Sequence, residues 1–407
     1  METGTRDRRA RAGVAGAYFV QGLCFAGLLT QVPALKEKFQ FSDDELTLVL
    51  LAVPVIAGLG SVLAGILAPR LGSALVLRAS GPLVGVAMTL VGLVPSRTGL
   101  YLAVAVFGLF LGAVDASMNM QGVAVQHRYR RSLLASFHGW WSLAGILGAL
   151  ATAGSTKIHL PLVAALGLVA LVGIAVALTV GPLLLRRAEE AAEAPEPVAG
   201  TVRPKIPWPP LLLVGLAVMF MYIADSATSN WGAVYLHDEL HGGKSVAALG
   251  LGAYLTCQVL GRTAADRLVV RFGPVRVVAV GAVLGAAGMT LVASAPTAVA
   301  AVVGFGIVGA GLCVVVPQSF SAAGALDPTG SGVAVARVNL FNYLGFVAGA
   351  ALIGAVAGAV SLRAAFLVPA VLALAIVALA PSFRVARQGP VGPNGPGSLV
   401  GGDVRGA

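Results

Sequence analysis

Stretches of about twenty apolar residues recur along almost the whole of this chain, and that pattern leaves few folds open. A hydrocarbon layer of ~30 Å is crossed by ~20 residues of helix rising ~1.5 Å each, and such a helix satisfies its backbone without water. Twelve spans are predicted: residues 13–35, 46–68, 73–94, 99–125, 133–155, 160–180, 209–230, 246–264, 275–294, 297–320, 331–357 and 363–381. The expected fold is therefore an all-α integral membrane protein. Of the chain's residues 57% are hydrophobic and 11% charged, where soluble domains carry roughly 25% charged. The 53 glycines fit close approach between membrane helices. The first span follows a basic run, RDRRARAG, but is too long for a cleaved signal peptide.

Six spans fall on each side of one polar link, which suggests four parts. They are a six-helix bundle over 1–182, a cytoplasmic linker over 183–208, a second bundle over 209–383, and a disordered cytoplasmic tail over 384–407. The link begins with RRAEEAAEAPEP and ends with PKIPWPP, a composition suited to a tether. A net charge of +10 could point to nucleic acid, but the basic residues sort by side instead. On the twelve-span topology Lys36, Lys38, Arg97, Lys157, Lys244 and Arg363 lie on one side, and the other 21 of the 27 lysines and arginines, Arg262 among them, on the other. The positive-inside rule then makes both termini cytoplasmic, as expected of a protein of the cytoplasmic membrane. Cys24, Cys257 and Cys313 all lie in apolar spans and imply no disulfide framework.

The halves resemble each other at an offset near 200 residues. Phe107-Gly108 matches Phe305-Gly306, Ser142-x-x-Gly145 matches Asn342-x-x-Gly345, and Gly65-x-Leu-Ala-Pro69-Arg70 matches Gly261-x4-Asp266-Arg267. Internal repeats of this kind mark transporters that bind at the repeat interface. Gly304-x-Gly306-x-x-Gly309 fits a dinucleotide fingerprint but lies inside an apolar span, and Gly243-Lys244-Ser245 lacks the first glycine of a phosphate loop. Neither offers a means of using ATP.

Polar side chains inside the spans carry the functional signal. Asp115 and Asp225 are the acids well inside apolar segments. Gly108, Gly112, Asp115, Asn119 and Gly122 share one helical face, as do His138, Ser142, Gly145, Ala149 and Thr152. Depth along the two helices predicts two rungs, Asn119 with His138 and Asp115 with Ser142. These rungs either lock a hairpin by interhelical hydrogen bonds or handle solute and protons. Asp225 near the outer side needs water, a cation or a partner, and stands with Ser226, Asn230 and Trp231. Gln21, Gln258, Gln318, Asn339 and Asn342 complete the set. With few fixed positive charges at mid-depth, the set suits a neutral polar, sugar-like or cationic solute better than an anion.

Gly261-Arg262-x3-Asp266-Arg267-x3-Arg271-Phe272-Gly273 resembles the gating motif of the major facilitator superfamily, as repeated in the second half of such permeases. The phrases DASMNMQGVAVQHRYRRSLLASFHGWWSLAG and SNWGAVYL resemble the YbjJ-like, fucose-permease-like bacterial branch. The resemblance implies twelve helices in two six-helix bundles, alternating access around a cavity lined by spans one, four, five, seven, eight, ten and eleven, and a latch from Asp266 onto the amino end of span five. In the first half Pro69 stands in the acid's place, so no second latch onto span eleven is implied. Gln126 and Asn230 stand where that branch tends to have acids, which weakens a transfer of proton coupling.

The expected function is secondary transport of a small polar solute, coupled to protons. Asp115 is the leading proton or cation site, and Asn119, His138, Ser142, Asn339 and Asn342 bind the solute. The expected partners are that solute, protons and the lipid bilayer, with the chain a monomer that needs no cofactor, metal or nucleic acid. An exporter of a drug or secondary metabolite is the alternative; a membrane-embedded enzyme using His138 and Asp115, or a non-transporting sensor, is more remote.

Overall fold

The computed structural model describes residues 4–191, 206–327 and 329–384. The expected tail beyond Arg384 and residues 192–205 of the expected linker lie outside them. The described residues are helical throughout, with no strand among them. Twelve long helices follow the predicted spans in order: α1 Thr5–Leu29, α2 Asp43–Leu71, α3 Ser73–Leu93, α4 Arg97–Tyr129, α5 Leu134–Lys157 and α6 Leu162–Val180 in the first half. The second half holds α7 Trp208–Glu239, α8 Lys244–Phe272, α9 Pro274–Ala293, α10 Ala298–Ala325, α11 Val333–Ala359 and α12 Leu362–Leu379. Eleven are long and apolar enough to cross a membrane among the described residues. The twelfth, α8, is as long but carries Arg262, Asp266, Arg267 and Arg271 in its second half.

Three helices depart from the expected spans for local reasons. Span one ends at Leu29, and Val32–Phe39 forms a separate amphipathic helix opened by Pro33. Span ten is broken between Leu312 and Val315, because Pro317 has no N–H to give the carbonyl of Cys313. In α7 two π turns, Ala227–Trp231 and Tyr235–Glu239, interrupt the regular helix, a distortion often met at functional sites.

The repeat seen in sequence is a repeat in packing. In the first half α2 lies on α4, α1 on α5, α3 on α4 and α3 on α6; in the second α8 lies on α10, α7 on α11, α9 on α10 and α9 on α12. Each pair recurs six helices later. Gly112 packs on the carbonyl of Ala57 and Gly309 on that of Tyr254, equivalent close crossings with no room for a Cβ. The turns after α2 and α8 place Gly72 at φ 87° and Gly273 at φ 82°, a backbone region that disfavours any side chain.

The link is not a free tether where it is described. The helix Arg187–Ala191 docks on the first half. Arg6 grips Glu189 with both ends of its guanidinium, at 2.7 and 2.6 Å, and donates to the carbonyls of Leu183 and Leu184 at 2.6 and 2.7 Å. Glu190 accepts from the backbone N–H groups of Ser73 and Ala74, at the start of α3, and from Gln121 at 2.7 Å. Burial raises the Glu190 carboxyl above its usual range despite these bonds. These contacts gather the start of α1 and the end of α6 at one end of the bundle, called here the basic side.

The halves meet along α2 with α11, α5 with α8, and the second segment of α10 with α4 and α5. At the basic side Asp266 of α8 accepts from Ser132 Oγ at 2.6 Å, from Ala135 N at 3.3 Å and from Ser136 N at 2.8 Å, in the first turn of α5. Gln126, on α4, takes the two preceding N–H groups, Leu133 at 3.0 Å and Leu134 at 3.4 Å, and donates to Ser321 of the second half at 3.0 Å. Arg267 and Arg271 of the motif are exposed, and Gly261 lies against the sulfur of Cys313 at the break in α10. Among the described residues, the hydrogen bonds between the halves lie from mid-depth to the basic side.

Two expectations follow from this packing. Asp266→Asn removes the charge from the α5 terminus and weakens the junction by about 1–2 kcal/mol, a factor of roughly 5–30 in the population separated at the basic side. Pulsed electron-spin distances between labels at positions 131 and 270, on a background without the native cysteines, should gain a longer component; an unchanged distribution refutes the latch. Glu189→Gln costs about 1 kcal/mol of stability at neutral pH, a figure already reduced because Arg6 is 35% and Glu189 27% exposed. The Arg6 hydrogen bond chiefly holds the Glu189 carboxyl at about 2, below its ordinary 4.5. The carboxylate therefore contributes fully above its unfolded value and loses that contribution as pH falls from about 4.5 to about 2. Melting of the wild type and the variant in detergent should converge across that window.

Candidate functional site

Asp115 lies about 21 Å from the basic end of α4 and about 27 Å from the other end, close to mid-depth. It is 9% exposed and meets the other half directly. Its Oδ2 accepts from Asn339 Nδ2 at 2.9 Å and from the hydroxyl of Tyr343 at 2.7 Å, both on α11. Asn119, one turn along α4, donates to the Asp115 backbone carbonyl at 2.8 Å and to Oδ1 at 3.3 Å. Asn339 also donates to Ser61 of α2 at 3.1 Å and accepts from Asn342 at 2.8 Å. The Oδ1 of Asn342 is buried without a partner. The result is a polar network of α2, α4 and α11 that spans both halves at mid-depth.

The predicted rungs do not form. Asn119 accepts from the hydroxyl of Tyr18 at 2.6 Å, not from His138, and Asp115 faces Asn339 and Tyr343, not Ser142. The physical reason is that α1 packs along both α4 and α5 and separates them beyond their hairpin. His138 is buried, with its ring centroid 5.0 Å from that of Tyr18 and 6.1 Å from that of Phe320, parallel to the latter. Trp140, two residues on, is 47% exposed. Trp141 turns inward and donates to Gln21 of α1.

A second correction concerns charge. Arg262, expected at the cytoplasmic surface, is 5% exposed and lies about 15 Å inside the basic end of α8. Its Nη1 donates to Ser142 Oγ across the halves, its guanidinium lies 5.9 Å from the Trp141 ring centroid, and its Nε is buried without a partner. One fixed positive charge is thus buried between the basic surface and mid-depth, whereas the sequence reading places it at the surface.

Asp225 is partnered: the hydroxyl of Tyr254 donates to its Oδ1 at 2.5 Å, and Gln258 donates to Tyr254 at 3.0 Å. Tyr254, Gln258 and Arg262 follow at four-residue steps on one face of α8. Asn230, exposed in the first π turn of α7, donates to Ser226 at 2.9 Å, and Ser226 to the Phe346 carbonyl at 2.8 Å. Trp231 donates to the Ala350 carbonyl of α11 at 3.4 Å. Sequence reasoning missed Tyr18, Ser61, Tyr343 and Arg262. Their signal was present: Tyr18 stands three residues before Gln21, Tyr343 four after Asn339, and Arg262 four after Gln258. Among the described residues no group of three His, Cys, Asp or Glu side chains could hold a metal ion.

Comparison with known proteins agrees with this architecture. The family model described as Major Facilitator Superfamily matches residues 14–238 and 214–401. An uncharacterised MFS-type transporter of Yersinia pestis is 31% identical over 89% of this chain and 93% of its own. An uncharacterised transporter of Sinorhizobium fredii is 29% identical over 91% and 97%, and the membrane protein MosC of Rhizobium meliloti 27% over 87% and 85%. Among solved structures, the MFS transporter FucP in its outward conformation superposes with a TM-score of 0.77 at 16% identity, covering 92% of this chain and 98% of FucP. The human organic anion transporter MFSD10 superposes at 0.71 and 16% identity, covering 92% and 99%. The family match spans nearly all of a multi-pass helical chain whose two halves repeat one packing scheme, and the protein belongs to the Major Facilitator Superfamily of transporters.

Proposed function

We propose that this transporter moves a small polar organic solute across the cytoplasmic membrane by alternating access, and that protonation of Asp115 couples the movement to the proton gradient. The observation that carries the reading is the pair of donors from α11, Asn339 and Tyr343, on one oxygen of a buried carboxylate of α4. An ionised carboxylate accepts at both oxygens; a protonated one must donate at one of them. Protonation at Oδ1 leaves Oδ2 to accept from α11 but removes the charge that strengthens those two bonds, and so weakens the joint between the halves. Hydrogen bonds to a charged group are worth about 1.5–3 kcal/mol, and a coupling of 1–3 kcal/mol shifts a two-state equilibrium roughly 5–150-fold.

The hydrogen bonds between the halves lie from mid-depth to the basic side, and on this reading the opposite side is the one that admits the solute. With the basic side cytoplasmic by the positive-inside rule, the termini are inside and the solute enters from outside. Superposition on FucP in its outward conformation supports that direction, and a further structure of FucP, the E. coli fucose:proton symporter, superposes with a TM-score of 0.71. Tyr18 and Asn119 hold the carboxylate in place. Asn342 offers an unused acceptor, Oδ1, to a solute hydroxyl or amine.

The test is flux. Proteoliposomes loaded with a pH-sensitive dye should show solute-dependent proton entry when presented with a panel of sugars, polyols, hydroxy acids and amines. In Asp115→Asn that proton entry should fall to the leak of empty liposomes, while counterflow exchange of the same labelled solute persists. Uphill accumulation at the wild-type level in the variant rules out Asp115 as the coupling site.

A further inference from the structure

We propose that Arg262 and the side chains around it form an anion subsite, so that the transported solute carries a carboxylate. The proposal deepens the transport reading above and rests on it for the word solute. Its ground is an unbalanced charge. Arg262 is 5% exposed, and a guanidinium does not shed its proton in a protein. Of its five N–H donors, one is used on the neutral hydroxyl of Ser142, and Nε is buried without an acceptor. No ion pair holds it among the described residues.

The nearby acids are committed elsewhere. Asp266, one turn along α8, spends both oxygens on Ser132, Ala135 and Ser136. Asp225 is bound by Tyr254, two turns back. Asp225 feels the charge of Arg262 but is held by Tyr254 and makes no ion pair with it. A buried cation without an acid in contact costs several kcal/mol, and a purely structural bridge from α8 to Ser142 needs only a neutral donor. The charge is explained if an anion shares the site. The planar guanidinium fork matches a carboxylate in two parallel hydrogen bonds. Trp141, 5.9 Å from the guanidinium and itself fixed by Gln21, leaves one face of the fork apolar. One turn before Ser142, His138 adds a buried Nε2 that likewise has no partner. Ser142 and Trp141 come from the first half and Arg262 from the second, so an anion seated there touches both.

Binding measured without transport tests this. Purified protein in chloride-free buffer is melted with gluconate, lactate or benzoate, and with the neutral counterparts glucitol, lactamide and benzamide at equal ionic strength. At least one carboxylate should raise the melting temperature while its neutral counterpart does not. Arg262→Gln should abolish that shift. Arg262→Lys, which keeps the charge and guards against a folding defect, should weaken the apparent affinity about ten-fold or more, because an ammonium lacks the fork. Asp115→Asn should retain the carboxylate shift, so loss of proton coupling and loss of anion binding are separable. Stabilisation by no carboxylate, by neutral compounds equally, or by carboxylates undiminished in Arg262→Gln overturns the subsite.

Discussion

The closed side of this transporter depends on how the first turn of one helix is satisfied. An α-helix leaves four N–H groups without partners at its amino end, and aligned peptide dipoles add a partial positive charge there. In α5 the four belong to Leu133, Leu134, Ala135 and Ser136, and α5 offers no side-chain cap of its own. Gln126 takes the first two from within the same half; Asp266 takes the last two from the other half. The division matters. Half of the terminus is capped permanently, and the other half only while the halves touch. When they part, water replaces the carboxylate, so the exchange costs far less than the gross strength of the bonds. Such a joint is specific in geometry yet cheap to remake.

The joint at mid-depth obeys a different balance. Asp115 is about 21 Å from the basic surface, where a bare carboxylate is expensive, and it is held by donors from α11 and α4 together. Separation there exposes a charge to whatever fills the crevice. On the proposed reading a proton resolves the difficulty at Asp115 in a way that Asp266, which is only partly buried, does not need. The two carboxylates would then divide the work by depth, Asp266 as latch and Asp115 as proton sensor. Arg262 lies between those levels on the same helix as Asp266. Its link to Ser142 extends the α5–α8 joint inward from Asp266, on a different pair of helices from Asp115.

Much of this was legible in the sequence because lipid makes a strict solvent. Twelve apolar runs forced twelve helices, and the near-200-residue offset forced equivalent pairs of helices. Pro317 in an apolar run and the two turn glycines, Gly72 and Gly273, were visible as letters, although the helix break at Cys313 was not predicted. The site was less legible because depth along a helix says nothing about which neighbour it faces. Equal depth paired Asn119 with His138 on paper, while α1 came between them and supplied Tyr18 instead. Arg262 was misplaced for a related reason. A motif otherwise exposed, with Arg267 and Arg271 in solvent, drew its first arginine to the surface by association. Its four-residue spacing from Tyr254 and Gln258 on a polar face pointed inward.

The loss of symmetry between the halves completes the physical picture. At the place equivalent to Asp266 the first half has a helical proline, Pro69, which can neither accept nor carry charge. The helix it would have latched, α11, begins at Gly332 with φ 76° and no side-chain cap. Gly332 packs on Met120 of α4, and Gly324 on Val123 of the same helix, close enough that a Cβ on either would have to displace the neighbour. At the basic side one seam between the halves is thus held by a carboxylate on a helix terminus and the other by apolar surface pressed against glycine, with the Asp115 hydrogen bonds of that second seam lying deeper. Apolar contact is non-directional and tolerates rolling; a carboxylate on two N–H groups does not. On the proposed reading the basic end of the α4–α11 seam is therefore suited to roll while the α5–α8 seam latches, with Asp115 deeper on the first seam and Arg262 on the second.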